Sequence, residues 1–218
     1  MLNVIYEDNH LLVVEKPVNI LSQGDNTNDD DMVNLLKKYL KEKYNKPGNV
    51  FVGLVHRLDR PVGGIMVFAK TSKAASRLSE QVRNKTFKKT YKAVLHGEMK
   101  KKQDNLSDYL YKDKKTNMVS VVNKNHKDAK DAKLSYKTLA SNNGFSLVEI
   151  DLQTGRPHQI RVQFSSRNHP LYGDQRYGKN VNKKGQQIAL WSYKIEIEHP
   201  TKKEKMEFIC EPPNKYPW

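Results

Sequence analysis

An aspartate stands between two arginines in the segment His56-Arg57-Leu58-Asp59-Arg60-Pro61, and two glycines follow at 63 and 64. A carboxylate beside cations is held in its ionised form near neutral pH. In that form it can act as a nucleophile or stabilise a positive centre, but it is a poor general acid. The glycines allow backbone or a ligand to approach closely. The same spacing also fits a structural ion pair that closes a turn, and both interpretations stay open at this point.

A second cationic segment has the sequence GRPHQIRVQF over residues 155–164. Its apolar residues predict a helix over 159–166. Arg156 and Arg161 would not share a face of that helix, so one can bind phosphate while the other points inward. An inward arginine needs a counter-charge, because a lone buried charge is very costly. Asp59 is the predicted partner of Arg161, and a basic surface helix is the alternative interpretation.

Other motifs argue against several classes of site. Residues 173–179 match the spacing of a P-loop but lack its final Ser/Thr and its flanking strand and helix. The histidines show no i, i+4 pair and no H-E-x-x-H pattern, and the single cysteine, Cys210, rules out a zinc site of several thiolates. No G-x-S-x-G motif supports a serine nucleophile. These patterns therefore favour neither a metal site nor a nucleoside triphosphate site.

The charge balance indicates a polyanionic partner. The chain carries 39 Lys+Arg against 24 Asp+Glu, a formal charge of +15, and residues 83–137 hold 16 basic and six acidic residues. Nucleic acid and an acidic membrane surface both fit such a charge. Within this region, residues 100–118 and 123–131 are rich in lysine, and we predict two loops there. They are either merely solvated or in contact with phosphates.

The elements that would position these segments alternate between strands and a few helices. Strands are predicted at 11–16, 51–55, 65–69, 91–95, 134–139, 146–152, 188–197 and 206–210. Helical patterns follow the acidic segment 25–31 and the candidate N-caps Thr71 and Ser72. We predict an α+β fold with a mainly antiparallel mixed sheet flanked by helices and loops, in a single domain over residues 1–218. Lack of a signal segment or an apolar span, together with one cysteine, favours a cytoplasmic protein.

Several blocks together resemble the RluA-type family of RNA pseudouridine synthases. They are HLLVVEKPVNIL, HRLDRPVGGIMVFAKT, KKTYKAVLHG, TGRPHQIRVQF, HPLYGDQRYG and IALWSYKIEIEHP, and they occur in the family's order along nearly the whole chain. The family's optional S4 RNA-binding domain is not expected here, since the first catalytic-domain motif lies within the first dozen residues.

The resemblance implies isomerisation of uridine to pseudouridine in ribosomal or transfer RNA, without metal or cofactor, by a monomer that does not bind membranes. Asp59 would be the nucleophile, Tyr91 would stack on a flipped-out base and assist proton transfer, and Arg161 would pair with the aspartate. The motifs also imply RNA contacts for a further set of side chains: His56, Arg57, Arg60, Arg156, His158 and Gln159. An inert RNA-binding protein on the same fold and a nucleic-acid hydrolase are the competing functions.

Overall fold

The computed structural model describes residues 2–25, 27 and 29–218. Contacts along the chain define two compact units. The first unit contains residues up to 88 together with 192–211, and the second contains residues 89–191 together with 212–218. A single domain over 1–218 stays a prediction.

The secondary structure contains more strands than helices among the described residues. In chain order the elements are β1 (Asn3–Glu7), β2 (Leu11–Lys16), α1 (Met32–Lys43), β3 (Gly53–Leu54), β4 (Gly63–Ala69), α2 (Ser72–Arg83), β5 (Lys88–His96), β6 (Gln103–Lys112), β7 (Val119–Val122), β8 (Lys130–Asn142), β9 (Phe145–Leu152), α3 (Gln159–Ser165), β10 (Leu190–Glu198) and β11 (Lys205–Ile209). None of these helices is long and apolar enough to cross a membrane.

The first unit contains strands in the order β1-β2-β4-β10, with β3 paired to β4 and β11 paired to β10. Strands β2 and β4 are antiparallel, and their register places Leu11 opposite Ala69 and Lys16 opposite Gly64. Every residue of β4 is buried, which explains why both strands have continuous apolar runs rather than alternating ones. The predicted strands at 11–16 and 65–69 are confirmed, and β4 begins two residues earlier, at Gly63.

Two capped helices complete the first unit. The side chain of Asp31 accepts a hydrogen bond from the backbone N–H of Asn34 and begins α1, while Thr71 does the same for Ala74 and begins α2. Each cap satisfies an N–H group that has no partner inside the helix. Both helices were predicted from their apolar periodicity, and of the two candidate caps for α2 the structure has Thr71.

The second unit contains an antiparallel series of strands in the order β5-β9-β8-β6-β7. In the chain, helix α3 comes directly after β9, and it contains Arg161, one of the predicted catalytic residues. The two loops predicted at 100–118 and 123–131 are wrong in part, because β6 occupies much of the first, β7 lies between the two, and β8 begins in the second. The physical reason is a small apolar cluster that these strands form with α3. It contains Leu110, Val119, Ala132 and Val162.

Candidate active site

Asp59 lies in a turn of the first unit, residues 56–62, which we call the Asp59 turn. The backbone N–H of Val62 donates to the carbonyl of Asp59 at 2.9 Å and closes the turn. Just before Asp59, the Ser22 hydroxyl donates to the carbonyl of Leu58 at 2.7 Å and accepts from its N–H at 3.0 Å. One buried hydroxyl thus binds both backbone polar groups of Leu58, the residue before Asp59. The carboxylate itself stands half-buried at this turn.

His56 anchors the beginning of the Asp59 turn to strand β4. Its Nε2 accepts a hydrogen bond from the backbone N–H of Val67 at 3.0 Å, so this nitrogen carries no proton and the neutral ring is protonated on Nδ1. The ring is buried and packs against Phe87, with centroids 5.1 Å apart. These contacts position the turn, and the expected RNA contact of His56 stays a prediction.

Lys16 supports the other end of the Asp59 turn, and the sequence analysis missed it. Its side chain is 0% exposed, and its ammonium donates to the carbonyls of Pro17, Arg60 and Val62 at 2.7 to 3.1 Å. Removal from water lowers the pKa of Lys16 to about 7, while the Asp59 carboxylate acts in the opposite direction. The structure therefore places a buried cation beneath the turn, within electrostatic reach of Asp59. The signal in the sequence is a lysine that ends an apolar strand directly before Pro17.

The two arginines that flank Asp59 are exposed. The guanidinium of Arg60 donates to the carbonyl of Asn19 at 3.1 Å and to the carboxylate of Asp29 at 2.8 Å. Gly64 follows the turn with φ at +112°, and a Cβ there would lie 2.3 Å from the Ser192 carbonyl oxygen. Only glycine fits at that position, so the turn leads into β4 along a fixed path. The exposed arginines are free of the core and suit the predicted contacts with RNA.

Tyr91 lies on strand β5 of the second unit, opposite Ile150 of β9. It is 6% exposed. Lys89 precedes it by two residues and therefore lies on the same face of the strand. The ammonium of Lys89 contacts the segment at Gly155, where a Cβ would lie 3.3 Å from it, and burial lowers the pKa of this lysine. A phenol and a desolvated amine thus share one face of β5.

Arg161 lies on α3 and forms a bidentate ion pair with Asp174. The Nε and Nη2 groups donate to the two carboxylate oxygens, each at 2.8 Å. Backbone N–H groups of Arg176 and Tyr177 also donate to Asp174, and the Tyr177 ring centroid lies 5.2 Å from the guanidinium. Burial opposes ionisation of Asp174, but its bonds with Arg161 outweigh that effect and lower its pKa. The buried arginine is therefore neutralised within its own unit.

The remaining predicted residues surround the start of α3. The Gln159 side chain is 3% exposed and bonds to the backbone N–H of Arg156, the hydroxyl of Thr154 and the carbonyl of Lys133. The guanidinium of Arg156 donates to the Asp131 carbonyl at 2.8 Å, and His158 has φ at +51° and contacts the Tyr177 hydroxyl through Nδ1. Gln159 holds the segment 154–159 in shape. RNA contacts of these three residues stay predictions.

The predicted catalytic residues divide between the units, with Asp59 in the first and Tyr91 and Arg161 in the second. The structure shows Asp174 as a partner of Arg161, and sequence reasoning missed it although it lies in the block HPLYGDQRYG. The predicted pair of Asp59 with Arg161 stays a prediction. Over the described ranges 2–25, 27 and 29–218, no three His, Cys, Asp or Glu side chains converge as a metal ion would require.

Comparison with known proteins matches residues 10–166 to the family described as RNA pseudouridylate synthase. An uncharacterized RNA pseudouridine synthase of Bacillus subtilis is 35% identical over 202 residues, covering 91% of this chain and 65% of that protein. Ribosomal large subunit pseudouridine synthase D of Borreliella burgdorferi is 33% identical over 218 residues, with 98% and 66% covered. The chain spans a little under two thirds of the length of these two relatives.

Two solved human structures have the same fold. The protein titled RNA pseudouridylate synthase domain containing 4 superposes with a TM-score of 0.80 at 20% identity, covering 97% of this chain and 89% of that one. Domain containing 1 gives 0.77 at 22% identity, covering 98% and 84%. These structures confirm the predicted α+β fold.

Proposed function

We propose, since this chain belongs to the RNA pseudouridylate synthase family, that it isomerises uridine to pseudouridine within RNA. The observation that carries the proposal is the Asp59 turn. It presents one carboxylate between two exposed arginines, and buried groups of Ser22 and Lys16 fix its backbone. An RNA-binding protein without activity needs no carboxylate between two exposed arginines, where it weakens attraction to phosphate.

The reaction breaks the N1–C1′ bond of uridine and joins C5 to C1′ after the base has rotated. N1 gains a proton and C5 loses one, so atoms balance without an oxidant or a second substrate. We propose Asp59 as the nucleophile. It attacks either C1′, as a glycosidase carboxylate does, or the uracil ring. In both cases an ionised carboxylate of fixed geometry is required at the moment of attack.

The other two predicted residues are proposed to handle the base. The target uridine must leave its stack, so an aromatic face is needed to receive it, and we assign this contact to Tyr91. We propose that its hydroxyl assists transfer of the C5 proton to water. Arg161 is proposed to pair with Asp59, while Asp174 fixes the plane of the guanidinium. The Arg161–Asp174 pair then acts as one rigid unit.

Ribosomal RNA is the substrate we propose, because one relative is named a ribosomal large subunit pseudouridine synthase. Transfer RNA is the alternative substrate, and the experiment must distinguish it from ribosomal RNA. A net charge of +15 supplies affinity for either RNA, since it acts through phosphates and not through sequence. We also propose that the protein acts in the cytoplasm, where both RNAs occur.

The test uses release of tritium from RNA labelled at C5 of uridine, because the C5 proton enters water only when pseudouridine forms. Asp59→Asn should reduce release to background while RNA binding persists. The matched control is Asp29→Asn, which removes an exposed carboxylate that pairs with Arg60 and should leave release unchanged. Release by Asp59→Asn at the wild-type rate would remove Asp59 from the nucleophile role.

The substrate is identified by mapping pseudouridine across total RNA from cells with and without the protein. A position lost from ribosomal RNA supports the proposal, and one lost only from transfer RNA selects the alternative. RNA binding without any pseudouridine formation by the wild-type protein would favour the inert RNA-binding function instead.

A further inference from the structure

A cavity of about 430 Å³ lies in the first unit, beyond the C-terminal end of helix α1. Its lining combines aromatic, cationic and amide side chains with two aliphatic residues. The lining residues are Asn9, Leu40, Tyr44, Lys46, Asn49, Val50, Phe51, Lys70 and Thr71. This composition differs from an apolar core cavity, because large rings and charged groups meet in one place.

The two aromatic rings of the cavity are unusually exposed for their size. Tyr44 and Phe51 each keep 47% of their surface in contact with solvent. Phe51 lies against Gly53, where a Cβ would come within 3.1 Å of the ring and 2.9 Å of the Ala75 Cβ. The absence of a side chain at Gly53 therefore leaves the space that the Phe51 ring occupies. The Phe51 ring therefore lines the cavity while about half of its surface stays open to solvent.

Three lysines surround the Tyr44 ring. The ammonium groups of Lys43, Lys46 and Lys70 lie 4.8 to 5.8 Å from its centroid. Glu7 accepts hydrogen bonds from Lys43, Lys70 and the Tyr44 hydroxyl at 2.6 to 2.7 Å. One carboxylate thus orders the group, and three cations against one anion leave a net charge of +2. Lys43 and Lys70 are bound to Glu7, whereas Lys46 is an exposed lysine of the cavity lining to which a phosphate would be attracted.

The cavity and the Asp59 turn lie at opposite ends of strand β4. Gly63 begins this strand directly after the turn, while Ala69 ends it directly before Lys70. Seven residues at about 3.3 Å each separate the two sites by roughly 20 Å. A single nucleotide cannot touch both places, but one RNA strand can.

We infer that this cavity binds an unpaired nucleotide of the same RNA that is modified at the Asp59 turn. The base stacks on Phe51, the adjoining phosphate pairs with Lys46, and the amides of Asn9 and Asn49 can hydrogen-bond base edges. Stacking on an exposed ring combined with lysines is the arrangement that binds single-stranded RNA without a strict sequence requirement. The inference rests on the proposed function only for the identity of the RNA.

The experiment measures binding of a twelve-nucleotide oligoadenylate, which contains no uridine and cannot react. Phe51→Ala should weaken binding by about 5-fold to 100-fold, the range expected for loss of stacking on one base. Lys46→Gln should lower the salt slope of the binding constant by about 0.7, the value for one phosphate contact with a single strand. Tyr216→Ala and Lys38→Gln are the matched controls, since both side chains are exposed elsewhere, and they should bind as the wild type does.

The inference is overturned if Phe51→Ala and Lys46→Gln, both with wild-type melting temperatures, bind the oligoadenylate as tightly as the controls. It is also overturned if AMP alone binds as tightly as the oligomer, because the cavity would then hold a free mononucleotide. Because the probe lacks uridine, its binding is independent of tritium release. Failure of this inference is therefore distinguishable from failure of the proposed activity.

Discussion

Lys16 in the first unit and Arg161 in the second are both almost completely removed from water, at 0% and 6% exposure. Lys16 donates to three backbone carbonyls and has a carboxylate only within electrostatic reach. Arg161 instead forms two parallel bonds with Asp174. An ammonium is compact and can lose its proton, whereas a guanidinium is planar and stays charged. The cation beneath the Asp59 turn is therefore sensitive to pH, and the one on α3 is not.

The largest effect is expected from breaking the Arg161–Asp174 pair. Asp174→Ala and Arg161→Ala should each lower the free energy of unfolding by roughly 3–5 kcal/mol, because each leaves a buried charge without its partner. Urea unfolding measures this loss. Arg161→Lys keeps the charge but not the planar fork, so we expect it to recover only part of the stability. Single variants as stable as the wild type would contradict the pairing.

A smaller effect is expected on the titration of Lys16. Its pKa is about 7 in the folded protein against 10.5 for an ordinary lysine, so between these values the unfolded chain holds a proton that the folded chain has lost. The free energy of unfolding, relative to Lys16→Met, should therefore rise with pH from about 7 upwards. Asp59→Asn should lower the pKa of Lys16 further, since the carboxylate raises it.

That titration can be followed by NMR of the Lys16 side chain in the wild type and in Asp59→Asn. The control is Arg60→Gln, which should raise the pKa because Arg60 acts in the opposite direction. A pKa of Lys16 that is equal in all three proteins would show that the turn and the lysine are electrostatically independent.

The smallest effect concerns lysines that are not buried at all. Lys100, Lys101, Lys102, Lys112, Lys114 and Lys115 are exposed. Changing all six to Gln should weaken RNA binding and reduce its salt slope by about 3 if four phosphate contacts are lost. The rate on saturating RNA in a single turnover should hardly change. If the binding constants of the two proteins depend on salt concentration with the same slope, these lysines contact solvent and not RNA phosphates.

The sequence predicts those parts of the fold that a local pattern dictates. The apolar runs at 11–16 and 65–69 and the caps Asp31 and Thr71 are of this kind. Strands β6 and β7 were missed because lysine-rich stretches flank β6 and give the whole region a polar average, while Leu110 and Val119 supply buried positions that hold the strands. The sequence alone does not show that packing against α3 stabilises strands in a region whose polar composition predicts loops.

In the candidate site too, features that depend on neighbouring residues could be predicted, whereas contacts between distant residues could not. Asp59 could be predicted as a candidate because its charged neighbours are adjacent in the chain. The contact of Lys16 with the Asp59 turn spans more than 40 residues, and that of Arg161 with Asp174 spans 13. The sequence shows which residues are charged, but it does not show which of them become buried next to one another. For Arg161 it offered Asp59 as partner, and the carboxylate in the following loop was overlooked.

The large separation along the chain between Lys16 and its partners has a consequence for folding during synthesis. The carbonyls of Arg60 and Val62 are separated from the lysine by 44 and 46 residues, and both partners come together only when β2 pairs with β4. Bringing such distant segments together costs chain entropy that is recovered only after the strands have paired. On the ribosome, the Asp59 turn thus remains unorganised until translation has passed residue 69, because the strands that bring its buried supports together are complete only then.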